Sequence, residues 1–163
     1  MHALLLAVAL SAAPRTVVIV PLGKVDPAFL KAAAESVKQR VDAEVRIDAA
    51  RELPKSAWYE RRKRWRAEKL LDAIDADPPE GAWKVLAITS AELSTTKGDI
   101  VDWGIAGLGN IGSLSSVSST FLYTKHSKTK AQALRRFTHV TVHEFGHTLG
   151  LDHCETATCL MAD

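Results

Sequence analysis

The run HEFGHTLGLDH at positions 143–153 constrains this chain more than any other feature. On a helix, His143 and His147 lie four residues apart, so their side chains share a face about 6 Å apart. That spacing lets two imidazoles grip one ion. Glu144 then projects beside the metal, where it can take a proton from water. Gly150 can end the helix in a left-handed turn and swing His153 back as a third ligand. Three protein ligands leave a fourth position open, which is the arrangement of a catalytic zinc site. The short HExxH pattern alone arises by chance in roughly two chains per hundred of this size, and fixing Gly150 and His153 lowers that about 400-fold. Between Val140 and Leu149 the only acidic or basic group besides histidine is Glu144, as expected for a helix buried on most sides.

The sequence past His153 narrows the reading. Cys154 follows directly, Cys159 comes after four intervening residues, and Met161 comes two positions later. The whole string HEFGHTLGLDHCETATCLM resembles the archaemetzincin signature HExxHxxGxxHCx4CxM, of a branch of the metzincin zinc metallopeptidases. The resemblance is tight over residues 140–161 and looser over 16–163. It implies that His143, His147 and His153 hold a catalytic zinc, that Glu144 is the general base, and that Met161 forms the Met-turn beneath the metal. It implies hydrolysis of peptide bonds in a peptide or protein, by an endopeptidase or an aminopeptidase-like hydrolase. Archaemetzincins also carry a later CxxC pair that completes a second, structural zinc site with the first two cysteines. Only two cysteines are present here, and two thiolates do not complete a four-coordinate site, so one zinc is expected. The segment after the Met-turn that walls the substrate pocket is likewise expected to be missing. That departure motivates an alternative, an exported zinc-binding domain without catalytic activity that serves in binding or inhibition.

Composition sets the remaining bounds. A chain of 163 residues has room for one domain, and a net charge of +2 points to no polyanionic partner. Residues 3–13, ALLLAVALSAA, read as the apolar core and small-residue end of a secretory signal peptide, so residues 1–13 are assigned to export and 14–163 to the peptidase-like domain. Secretion or a periplasmic location follows, with no membrane association after signal removal. In an oxidising compartment Cys154 and Cys159 are expected to form a disulfide. A monomer that does not bind nucleic acid is expected.

Along the chain, Thr16 to Val20 is a β-branched run suited to a buried strand, and Asp26-Pro27 caps an amphipathic helix over 27–41. Residues 44–48 alternate as a half-exposed strand. The basic block RRKRWR at 61–66 is read as the solvated face of a surface helix within 55–76, because Ala67, Leu70, Leu71 and Ile74 follow at helical spacing. Residues 83–90 read as a central strand, and 103–109 and 113–119 as two more, whose glycines and serines suit close approach by another backbone. In the family it resembles, an edge strand before the zinc helix pairs with extended substrate, and that role is placed on Ile105, Ala106, Gly107 and Leu108. Ser127 or Thr129 caps a long helix running to Leu149, with His139 in a supporting or structural role. The predicted fold is α/β: one metzincin-like domain with a mixed, twisted sheet, an antiparallel edge strand, a long active-site helix and a Met-turn.

Overall fold

The computed structural model describes residues 15–162, and the signal-peptide segment lies outside the described residues. Strand β1 (Thr16–Leu22) is buried along nearly its whole length. Its β-branched side chains alternate between two apolar layers, which is why it reads as one continuous apolar run. Val17 and Ile19 face one cluster with Phe29, Val37 and Phe137, whereas Val18 and Val20 face another with Leu70 and Ile74.

Helix α1 (Pro27–Lys38) starts where predicted, with the Asp26 carboxylate accepting the Ala28 N–H at 2.9 Å. It stops three residues short of Val41. Strand β2 (Glu44–Ile47) then returns parallel to β1. Strand β5 (Lys84–Thr89) pairs on the other side of β1, followed by β9 (Ser115–Ser119), both parallel; β8 (Gly107–Gly109) closes the sheet antiparallel to β9. The resulting order β2-β1-β5-β9-β8 is the mixed sheet with an antiparallel edge that the sequence predicts. The long helix α4 (Lys130–Thr148) and α1 cover one face, where Phe29 meets Phe137 edge-on at 5.2 Å. Helix α2 (Ala67–Ala76) covers the other. A short helix, α3 (Phe121–His126), was not anticipated. Among the described residues, no helix is long and apolar enough to cross a membrane.

The basic block corrects the sequence reading. Only residues from Ala67 onward are helical; before them come a 3-10 turn (Lys55–Ala57), β3 (Trp58–Tyr59) and β4 (Arg64–Arg66), an antiparallel hairpin. Trp58 packs across the hairpin against Trp65, with ring centroids 5.1 Å apart and the planes tilted at 58°. Strand β4 continues into a second sheet with β6 (Leu93–Lys97) and β7 (Ile100–Ile105), in the order β3-β4-β6-β7. Its charges find partners there: Arg64 pairs with Glu92 at 3.0 Å and with Asp102 at 3.4 Å. Arg66 is 7% exposed and donates to the Val101 carbonyl, to Thr96 Oγ1 at 2.7 Å and to Glu68 at 2.6 Å. The arginines of this hairpin therefore bind one sheet together, a pattern local periodicity does not encode. Replacing Arg66 with methionine removes its bonds to Thr96 and Val101, which keep only the 3.3 Å bond from the Thr96 hydroxyl to the Val101 carbonyl. With the Glu68 contact discounted for that carboxylate's exposure, a loss of about 1–3 kcal/mol is expected. An unchanged urea midpoint would refute it.

Strand β7 also corrects the edge-strand reading. The sequence predicts one strand over 103–109, but the chain breaks at Ala106. Ile105 ends β7 in the second sheet, and Gly107 begins β8 in the first. Ala106 is the joint, its carbonyl accepting the Ser119 N–H at 2.7 Å.

Candidate metal centre

Helix α4 carries two of the three predicted ligands. It is capped by Thr129, whose hydroxyl accepts the Gln132 N–H at 3.1 Å, and its nineteen residues span about 28 Å. His143 and His147 stand on one face with their Nε2 atoms 3.1 Å apart. Each ring is held from behind. His143 Nδ1 meets the Leu160 carbonyl at 3.0 Å, and His147 Nδ1 meets the Leu151 carbonyl at 2.8 Å. A carbonyl oxygen only accepts, so each Nδ1 carries the ring proton and each Nε2 presents a lone pair. Two lone pairs facing at 3.1 Å repel unless a cation lies between them. The edge of a tetrahedron with zinc–nitrogen bonds of 2.0–2.1 Å is about 3.3 Å. Burial pushes the His143 pKa down, with neighbouring histidines adding to it and the Leu160 carbonyl opposing, which favours the neutral, ligating form.

The third histidine comes from the turn after the helix. Gly150 adopts φ +92°, the left-handed conformation that favours glycine. Its N–H donates to the His147 carbonyl at 2.9 Å and the Leu151 N–H donates to the Gly146 carbonyl at 3.1 Å, the paired bonds of a Schellman motif. The chain then turns back and brings His153 to the other two, with one ring nitrogen from each imidazole within 4.8 Å of the others. This donor set of three imidazoles fits zinc, whose fourth position would be left for water or substrate. His139, one turn earlier and exposed, does not join them.

Glu144 lies beside the triad at 8% exposure. Burial pushes its pKa up to about 7, and a hydrogen bond from the Gly109 N–H draws it partly back. Strand β8 is the element packed over it, so the structure brings Gly107 to the site. It turns Leu108 toward the opposite apolar layer and leaves Ile105 and Ala106 off the edge strand.

The residues behind the site explain its remaining letters. Met161 is 6% exposed and packs against Gly146, where an added Cβ would lie 2.5 Å from the methionine sulfur. The glycine of HEFGH is thus the clearance for the Met-turn. Gly146→Ala is expected to force Met161 aside and cost about 1–3 kcal/mol, read as a lower thermal midpoint of the zinc-free protein. An unshifted midpoint would mean that the sulfur has room to move. The loop that carries Met161 closes through Cys154 N–H to the Met161 carbonyl at 2.8 Å. Cys154 and Cys159 are half-buried thiols, and the Thr156 N–H followed by the Cys159 thiol pulls the Cys154 pKa down. Lys84, which sequence reasoning passed over, donates to the Thr148 and Ser113 carbonyls at 2.6 Å each. Its ammonium thereby caps the C-terminus of the ligand helix.

Known proteins resemble this chain in sequence and in fold. A family model of the matrixins, peptidase family M10, matches residues 32–163. An archaemetzincin of Haloarcula marismortui is 32% identical over 150 residues, covering 88% of this chain and 83% of that protein. One from Halobacterium salinarum is 32% identical over 148 residues, with the same coverage of 88% and 83%. The crystal structure of an archaemetzincin from Methanopyrus kandleri superposes with a TM-score of 0.79 at 24% identity, covering 96% of this chain and 84% of that one. That of Archaeoglobus fulgidus, complexed with malonate, gives 0.74 at 23% identity, covering 90% and 85%. Homology over most of the chain and a shared fold place this protein among the archaemetzincin-like metzincins, a family of zinc metallopeptidases.

Proposed function

We propose that this chain hydrolyses peptide bonds in a peptide or protein, with His143, His147 and His153 holding one zinc ion and Glu144 acting as general base. The observation that carries the reading is the pair of Nε2 lone pairs facing each other at 3.1 Å while both Nδ1 protons are committed to carbonyls. Zinc bound there lowers the pKa of water toward neutrality and polarises a carbonyl. Glu144 takes a proton from the attacking water and returns it to the leaving amide nitrogen. Its near-complete burial keeps that proton from exchanging with bulk solvent midway. Gly107, on the edge strand, has a free side along which an extended peptide can pair. Met161 floors the site without binding metal.

The compartment and the thiols belong to the same reading. Residues 3–13 support export, and in an oxidising compartment Cys154 and Cys159 join as a disulfide that fixes the path from His153 to Met161. Two titratable thiols in protein purified from that compartment would sink the disulfide.

The test of function is zinc content by mass spectrometry together with hydrolysis of a pool of internally quenched peptides. One zinc per chain is expected, with turnover abolished by a chelator and restored by added zinc. Protein without stoichiometric zinc would end the reading. Retained zinc without hydrolysis would favour the binding or inhibitory domain.

A further inference from the structure

The glycines of β8 carry an inference beyond the ligand set, resting on the assignment of Glu144 as base. Strand side chains alternate between faces, so Gly107 and Gly109 face one way and Leu108 the other. Leu108 packs into the apolar layer beneath α2, and both glycines face α4 at Glu144. A Cβ on Gly107 would lie 2.6 Å from Glu144 Cγ and 3.0 Å from its Oε1. A Cβ on Gly109 would fall on the Glu144 backbone carbonyl, 3.1 Å from its carbon. Glycine is disfavoured inside a strand, and two in a three-residue strand are explained by what approaches them.

We infer that Gly107 and Gly109 form a slot on the sheet edge that seats the Glu144 side chain and fixes its carboxylate beside the three imidazoles, so that both glycines are positioning residues for proton transfer. Gly109 acts at two points: its missing Cβ lets the strand lie against the helix backbone, and its N–H donates to the carboxylate. Gly107 acts at one, by leaving the volume that Glu144 Cγ and Oε1 fill. A base held this way loses little rotamer freedom when substrate arrives, because its side chain is already confined between helix and strand.

The two positions differ in what a methyl group would strike, and that difference makes the test. At Gly109 the obstacle is helix backbone, so alanine there disturbs the fold. At Gly107 it is the Glu144 side chain, Cγ and carboxylate, rather than backbone, so Gly107→Ala folds and displaces the carboxylate. Gly107→Ala is expected to bind one zinc and keep its KM within about threefold, while kcat on the quenched-peptide pool falls about 100-fold, the scale of an ångström-sized misplacement of a reacting group. Independently of turnover, the Gly109 amide of the zinc-loaded protein is expected to exchange its hydrogen slowly, and at least tenfold faster in Glu144→Ala. Wild-type kcat in a zinc-loaded Gly107→Ala protein overturns the inference, as does a Gly109 amide whose exchange ignores the loss of the carboxylate. Full turnover by Glu144→Ala itself overturns the assignment of the base, and the inference with it, by a result that the Gly107 variant cannot mimic.

Discussion

Glu144→Gln is expected to lower kcat by about 10²–10⁴-fold while leaving one zinc per chain and KM little changed. Glutamine nearly matches glutamate in shape, so it fills the space between α4 and the two glycines of β8 without new strain. Its amide oxygen can still accept the Gly109 N–H. What it cannot do is take a proton from water and hand it to an amine. At 8% exposure, the position gives bulk water little room to stand in for the lost base, so the larger end of that range is expected. Stability should hold or rise, because glutamine removes a carboxylate whose ionisation burial opposes. A fall in kcat without loss of zinc or of thermal midpoint separates a chemical role from a structural one. A kcat within threefold of wild type would remove Glu144 from the mechanism.

The site was more legible in the sequence than the fold around it, for a physical reason. Its ligands are local. The helical period sets the distance between His143 and His147, and the left-handed Gly150 sets the return of His153, so eleven consecutive residues specify three convergent imidazoles. Strand β1 and helix α1 were legible on the same grounds, from a β-branched run and an Asp-Pro cap. The second sheet was not, because its stability is non-local. Arg66 reads as part of a solvated helical face until Thr96 and Val101, some thirty positions on, are seen to surround it. Lys84 is similar: its role lies with the Thr148 carbonyl, 64 residues later.

The glycines show a middle case. That a strand containing Gly107 and Gly109 admits close approach by another backbone follows from the residue type. That the approaching element is helix α4 at Glu144 follows only from the fold. The sequence places the edge strand on residues 105–108, whereas the structure begins it at Gly107. The apolar residues Ile105 and Leu108 look like its body, whereas the residues that meet Glu144 are the two with no side chain at all. Gly146 makes the same point against Met161, fifteen positions away.

Zinc removal should expose an asymmetry among the three ligands. His143 and His147 stand on one rigid helix with their rings already oriented by Leu160 and Leu151, so they need no ordering to bind. His153 is exposed and comes from the loop beyond the helix cap rather than from the helix itself. His147→Ala is therefore expected to retain no zinc through dialysis, whereas His153→Ala keeps a weakened two-ligand site that fills at high zinc. The consequence reaches stability, because zinc binds the folded chain far better than the unfolded one. At a free zinc concentration about a thousand times Kd, that linkage contributes about 4 kcal/mol. For a chain of this size it raises the melting temperature by about 8–16 °C. Wild type should lose that increment when a chelator is added. His147→Ala should show the same melting temperature with and without chelator, because the zinc increment depends on that imidazole. Stoichiometric zinc in dialysed His147→Ala would show that the ion is held elsewhere, and the convergence of the three imidazoles would then need another cause.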